Sequence, residues 1–184
     1  MERFLVTGGS GFIGTNVVEY LLSTGRYEVL NIDSSAPKNA RHIHVWKRVD
    51  LCDAQQLNKV VCDFNPHYVL HLAARTDLMG KSVDDYSANT DGVRYLLQTL
   101  DGLSELKRVV FASSMLVCKV GYQPSHEQDY APSTFYGESK VITEKIIREH
   151  SPAYDWAIIR PTSIWGPWFG VPYANFFKMV LSRT

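Results

Sequence analysis

The sequence predicts an α/β fold, a doubly wound parallel sheet of about six or seven strands with helices on both faces. Two observations carry the expectation. Short apolar runs rich in Val, Ile and Leu recur along the 184 residues, each separated from the next by an amphipathic stretch. Strand and helix then alternate about six times, which demands parallel strands joined by right-handed crossovers over the sheet. No internal repeat or low-complexity segment interrupts the order, and a chain of this length defaults to one domain with one sizeable core.

The elements follow in order. "RFLVTG" from Arg3 reads as the first strand. "GFIGTNVVEYLLSTG" reads as a helix with Phe12, Ile13, Val17, Val18, Leu21 and Leu22 on one side and Gly25 as its stop. "YEVLNID" is the second strand, "SSAPKNARH" a polar loop, and "IHVWKRVDL" the third strand, with His42 and His44 alternating where the strand begins. "DAQQLNKVVCDF" is a short helix capped by Asp53, and "HYVLHLAA" the fourth strand. "VDDYSANTDGVRYLLQTLDG" reads as one long helix, "LKRVVFASS" as the fifth strand, "APSTFYGESKVITEKIIREHS" as another helix and "YDWAIIRPTS" as the sixth strand. The tail "VPYANFFKMVLSRT" is expected to be helical at its end. The irregular stretch from Met115 to Ser133 is long for a compact domain, and such loops are usually functional.

Composition narrows the function. Lys plus Arg number 19 and Asp plus Glu 19, and no long block of like charge exists, which argues against a nucleic-acid partner. "MERFLVTGG" reaches glycine too soon for a secretory signal and no apolar run can span a bilayer, so the expectation is a cytoplasmic protein without a membrane partner. Cys52, Cys62 and Cys118 have no C-x-x-C spacing and read as free thiols, buried or half-buried. The six histidines are scattered, so no metal site is expected.

"VTGGSGFIG" follows the first strand and opens the first helix. Gly8 allows the sharp turn, Gly11 lets backbone approach a pyrophosphate, and Gly14 lets the helix pack closely on the sheet. The helix start then offers free amides to phosphate, the dinucleotide arrangement of the Rossmann fold. Roughly 20 residues on, Asp33 ends the second strand, where a carboxylate accepts both ribose hydroxyls of an adenosine and repels a 2′-phosphate. NAD is therefore the expected cofactor over NADP, although Lys38 and Arg41 in the next loop are placed to serve a 2′-phosphate.

"TFYGESKVITEK" sets Tyr136 and Lys140 four apart on one face of a helix start. A free phenol is ionised to only about one part in a thousand at neutral pH; an ammonium and an oxidised nicotinamide nearby favour the phenolate, at about 4 kcal/mol for three pKa units. Tyr136 then takes a proton from a substrate hydroxyl as hydride leaves for NAD. Ser113 and Ser114 end the fifth strand at the same crevice, where a hydroxyl can hold the reacting oxygen.

These motifs together resemble the extended short-chain dehydrogenase/reductase family, in its nucleotide-sugar epimerase and dehydratase branch, over nearly the whole chain. "TGGSGFIG" is similar to its TGxxGFxG loop, Asp50-Leu51 to its adenine-contacting pair, "HLAA" at His71 to its fourth strand, "NT" at Asn89 to its helix signature, "YGESK" to its catalytic motif and "RPTSIWGP" at Arg160 to its RPxxxYGP segment. The resemblance implies a triad of Ser114, Tyr136 and Lys140, with Lys140 on the nicotinamide ribose. It implies Gly8, Gly11, Phe12 and Ile13 at the pyrophosphate, Asp33 at the adenosine ribose, and Asp50 and Leu51 at the adenine. Leu72, Ala73, Ala74 and Arg75 would line the inner ribose and phosphate, Pro161 and Thr162 would approach the nicotinamide with Ser113 contributing backbone, and Asn89 completes the cofactor set. It further implies a nucleotide-sugar substrate and a homodimer paired through the helices of 83–100 and 134–150.

The sequence also departs from that family. Met115 and Leu116 follow Ser114 where glucose-nucleotide dehydratases carry Asp-Glu, which argues against dehydration. Val117-Cys118-Lys119 replaces VYG, and Ser163 replaces the asparagine of RPxNxYGP. The family's C-terminal substrate lobe is largely absent, and "FFKMVLSRT" reads as a cut within a helix, so the expected domain is the NAD-binding one, 1–184. The leading reading is an epimerase that oxidises and re-reduces a sugar hydroxyl. A reductase or dehydrogenase using the same residues, and an NAD-binding module without turnover, stay open beside it.

Overall fold

The computed structural model describes residues 1–170 and 173–182; the ends of the expected tail helix, at 171–172 and 183–184, lie outside them. Six parallel strands form one sheet: β1 (Glu2–Thr7), β2 (Tyr27–Asp33), β3 (Trp46–Arg48), β4 (Tyr68–His71), β5 (Arg108–Ala112) and β6 (Asp155–Ile159). Their order is β3-β2-β1-β4-β5-β6, so the chain reverses direction across the sheet between β1 and β4. Such a switch point leaves a crevice at the carboxyl ends of the strands.

The helices are α1 (Phe12–Ser23), α2 (Ala54–Phe64), α3 (Ser87–Leu100), α4 (Phe135–His150) and α5 (Tyr173–Leu181). The pleat alternates which face each strand residue meets. Leu5, Val69, Val109 and Phe111 pack with Leu57, Val61, Val93, Leu96 and Ile147 of α2, α3 and α4. Val6 and Val29 face the other way, onto Val18 and Leu21 of α1. Helices thus cover both faces, but unequally: Ile159 on the outermost strand is 45% exposed, and α5 leaves Phe176, Phe177, Met179, Val180 and Leu181 at least 45% exposed.

The structure corrects several expected boundaries. Residues Ala40–Val45 form a 3-10 helix rather than the start of the third strand, because Asn39 accepts the Arg41 amide and starts a helical turn. His42 is consequently buried and His44 exposed, two positions apart on that turn rather than on one strand face. The long helix expected from Val83 divides into a 3-10 turn (Val83–Tyr86) and α3. The helix expected from Ala131 begins at Phe135, where the Thr134 hydroxyl accepts the Gly137 amide at 3.0 Å. Asp53 caps α2 as expected, accepting the Gln56 amide at 3.0 Å. All three cysteines are free, but only Cys118 is buried; Cys52 and Cys62 sit on the exposed sides of α2 and the turn before it. Among the described residues, no helix is long and apolar enough to cross a membrane.

Candidate active site

The loop between β1 and α1 lies at the crevice. Gly8 has φ +74°, and a Cβ added there would stand 2.5 Å from the Ala73 amide nitrogen. At Gly14 an added Cβ would strike the Gly8 carbonyl oxygen and come within 2.5 Å of the Gly9 Cα. The backbone of β4's exit and the loop therefore touch with no room for side chains. Gly11 sits at the N-cap of α1 with no side-chain cap, and no acidic residue occupies the first turn. The amides and positive dipole end of this 12-residue helix face the cleft without a protein anion to satisfy them.

A cleft of about 660 Å³ opens here. Gly8, Gly11, Phe12, Ile13, Asp33, Asp50, Leu51, Leu72, Ala73, Ala74 and Arg75 all line it, which brings together residues from four separate loops. Asp33 braces the cradle as well as facing it: Oδ2 accepts the Ser10 amide at 3.1 Å and Oδ1 the Ser35 amide at 2.9 Å. Ser10, Ser34, Ser35, Lys38 and Thr76 also line the cleft. Ser10 went unrecognised in the sequence; the only signal for it was its place inside the glycine loop.

Asn89 does not line this cleft. It is buried in α3, where its Oδ1 accepts the Arg75 amide at 2.8 Å and its Nδ2 donates to the Arg75 carbonyl at 3.0 Å and the Ser139 hydroxyl at 3.0 Å. Its side chain clamps the cleft wall to α4 from behind.

Ser113, Ser114, Tyr136, Lys140, Pro161 and Thr162 gather beside the cleft, at the carboxyl ends of β5 and β6 and the first turns of α4. Ser113 donates its amide to the Ile159 carbonyl at 2.7 Å and Met115 its amide to Pro161 at 3.0 Å, so the two strand exits are stitched together. The two serines diverge. The Ser114 hydroxyl neighbours the Tyr136 phenol and caps the 3-10 turn Met115–Val117, whereas the Ser113 hydroxyl turns away to Glu144. Tyr136 is 8% exposed, and its ring lies 6.1 Å from that of Tyr86. Tyr86 itself was not anticipated: it is fully buried, donates to the Asp77 carbonyl at 2.8 Å and accepts the Gly80 amide at 3.2 Å, bracing the 77–80 loop.

The electrostatics differ from the sequence expectation. Burial pushes the Tyr136 phenol up rather than down, and the neighbouring Ser114 hydroxyl only partly opposes it. Lys140, one turn on, is 3% exposed and spends its Nζ on the Ala112 carbonyl at 2.8 Å. Burial lowers it to about 8. The protein alone therefore favours the neutral phenol, and a further positive charge in the crevice would favour its ionisation.

That depressed lysine has a stability consequence. Its folded value lies below the ordinary 10.5, so the folded chain binds its proton less tightly than the unfolded chain. The cost is complete below about pH 8 and fades as pH rises toward 10.5, so this group's contribution makes stability rise with pH across that window. The shift is worth about 3 kcal/mol, offset by about 1 kcal/mol for the hydrogen bond to Ala112. Lys140→Met is expected to stabilise the protein by about 2 kcal/mol at neutral pH, with the gain lost in strong alkali. Chemical denaturation at both pH values checks this; equal stability of the two proteins at neutral pH would refute it.

A doubly wound sheet, an uncapped glycine-loop helix at the switch point and a Ser-Tyr-Lys group at the adjoining strand ends define the class: a short-chain dehydrogenase/reductase of the extended branch. A model of the NAD dependent epimerase/dehydratase family matches residues 4–184, and the chain belongs to that family of enzymes. It is 32% identical over 165 residues to a probable dTDP-glucose 4,6-dehydratase of Sinorhizobium fredii, covering 77% of this chain and 47% of that protein. To the UDP-glucose 4-epimerase of Mycolicibacterium smegmatis it is 28% identical over 181 residues, covering 90% and 57%. The crystal structure of Thermus thermophilus UDP-glucose 4-epimerase in complex with NAD superposes with a TM-score of 0.73 at 29% identity, over 86% of this chain and 54% of that one. The chain spans about half the length of the curated relatives it matches.

Proposed function

We propose that this chain forms the NAD-binding part of an epimerase-type oxidoreductase acting on a nucleotide-linked sugar. The observation that carries the reading is the junction of an empty-backbone phosphate cradle with the buried Tyr136, Ser114 and Lys140 group at the carboxyl edge of one sheet. NAD fits the residues present. The α1 amides and glycine loop would hold its pyrophosphate, Asp33 the adenosine ribose, and Asp50 and Leu51 the adenine, with NAD favoured over NADP by the Asp33 charge.

Bound there, NAD supplies a two-electron acceptor that can take and return a hydride. The chain's own residues do the rest. Ser114 positions the sugar hydroxyl, Tyr136 receives its proton at the phenolic oxygen and returns it after the sugar presents its other face, and Lys140 anchors the nearby ribose. The resemblance argues against removal of water across the sugar, since Met115 and Leu116 stand where the family's glucose-nucleotide dehydratases carry Asp-Glu. A dehydrogenase using the same residues shares every step up to the return of hydride. Pairing of two copies through α3 and α4 rests on the family resemblance; the exposed positions of these helices, among them Asp91, Arg94, Gln98, Glu138, Lys145 and Glu149, are polar or charged, with Phe135 the apolar exception.

Adding UDP- and dTDP-hexoses to the NAD-loaded intact protein tests the reading. It expects transient reduced-nicotinamide absorbance and a product inverted at one carbon. Accumulating reduced nicotinamide with a keto product would instead indicate the dehydrogenase, and no absorbance change with any sugar would defeat both.

A further inference from the structure

We propose that Glu144 is a positioning residue of this site, setting a buried negative charge one helical turn behind Lys140 and holding its strand end in place from inside the protein. The proposal rests on the functional reading above, but concerns a residue no part of that reading uses. Glu144 lies one helical turn beyond Lys140 on α4 and is 0% exposed, the one fully buried carboxylate among the described residues. A lone buried carboxylate is costly unless its oxygens are saturated. Here they are. Oε1 accepts the Ser113 hydroxyl at 2.6 Å and the Arg160 Nε at 2.8 Å; Oε2 accepts the Tyr130 hydroxyl at 2.9 Å and the Arg160 Nη2 at 2.7 Å. Burial pushes this carboxyl up, but the donors outweigh it and hold it below its ordinary value, so it is ionised.

Those donors come from every segment that builds the reactive corner. Ser113 follows the Ala112 carbonyl on which Lys140 rests, Tyr130 belongs to the long loop, and Arg160 opens the RPTS segment and also donates to the Glu127 carbonyl. One carboxylate thus locks β5, β6, α4 and the loop. It also places a negative charge beside the buried ammonium. The other charged or titratable groups facing Lys140 are Tyr136 on α4, neutral here, and His71 on β4, which is held uncharged down to about 3 by burial and the lysine's own charge. Arg160 approaches only through Glu144. Glu144 is therefore the anion that keeps Lys140 cationic.

The experiment is a titration of Lys140 in the intact protein without cofactor, followed by the side-chain carbon NMR signal assigned through Lys140→Arg. The wild-type midpoint is expected near 8. Glu144→Gln keeps the shape and removes the charge, and should lower the midpoint by about one pH unit, while Glu144→Asp restores most of it. If Glu144→Gln fails to fold, Arg160→Gln tests the same point, since loss of the competing guanidinium should raise the midpoint. A midpoint unmoved by the charge-removing variant that folds overturns the proposal. Because this titration needs no substrate, that failure would leave the sugar-turnover test standing, and failure of turnover would leave the titration interpretable.

Discussion

Tyr136→Phe is expected to lower turnover of the sugar hydroxyl by about 10²–10⁴-fold, the span typical of a removed general acid–base group. The variant keeps the ring that packs near Tyr86 and loses only the hydroxyl that meets Ser114. NAD affinity should therefore change little, because the cleft that would hold the adenosine and pyrophosphate does not include Tyr136. Loss in kcat with retained cofactor binding is the signature of a group acting on the reacting atoms. Burial raises the phenol in the unliganded protein, so wild-type turnover should climb with pH through the range in which the phenol ionises in the loaded site. A Phe variant retaining wild-type kcat would remove Tyr136 from the proton transfer altogether.

Gly14→Ala is the second large effect. The added methyl would meet the Gly8 carbonyl and the Gly9 Cα, both backbone atoms, which no rotamer change can relieve. Either α1 moves away from β1 or the glycine loop opens, and both misplace the amides that face the cleft. We expect NAD affinity to fall by about 100-fold and stability by about 2 kcal/mol, the range for overpacking a tight backbone contact. Gly102→Ala is the matched control: its nearest neighbour is 3.7 Å away in the turn after α3, so both quantities should stay near wild type. Isothermal calorimetry with NAD and denaturant unfolding measure the pair; wild-type affinity in Gly14→Ala would show that the cofactor does not use this cradle.

Much of the architecture was legible because its signals are local. The apolar runs have a strand's length, the stretches between them a helix's period, and the glycines mark where backbone must approach backbone. The cleft residues could be named for the same reason: in a parallel sheet every loop after a strand opens at one edge, so Gly8, Asp33, Asp50 and Ala73 converge without any long-range information. Errors came where one local pattern fits two conformations. Alternating His42 and His44 satisfied a strand until Asn39 turned the segment into a 3-10 helix.

By itself, then, the sequence determined the alternation of strands and helices, the cradle and the Tyr136–Lys140 pairing, since each depends on residues a few positions apart. Only the tertiary structure decided which polar groups are buried together. Glu144 looks in the sequence like any helix-surface carboxylate, and becomes the anchor of the reactive corner once Ser113, Tyr130 and Arg160 arrive from 14 to 31 positions away. The bonds by which Asn89 clamps the Arg75 backbone behind the cleft wall were likewise invisible in the sequence. The desolvation that raises the Tyr136 phenol and lowers Lys140 is a property of what surrounds them, and the crossovers that enclose them are written in no single stretch of the chain.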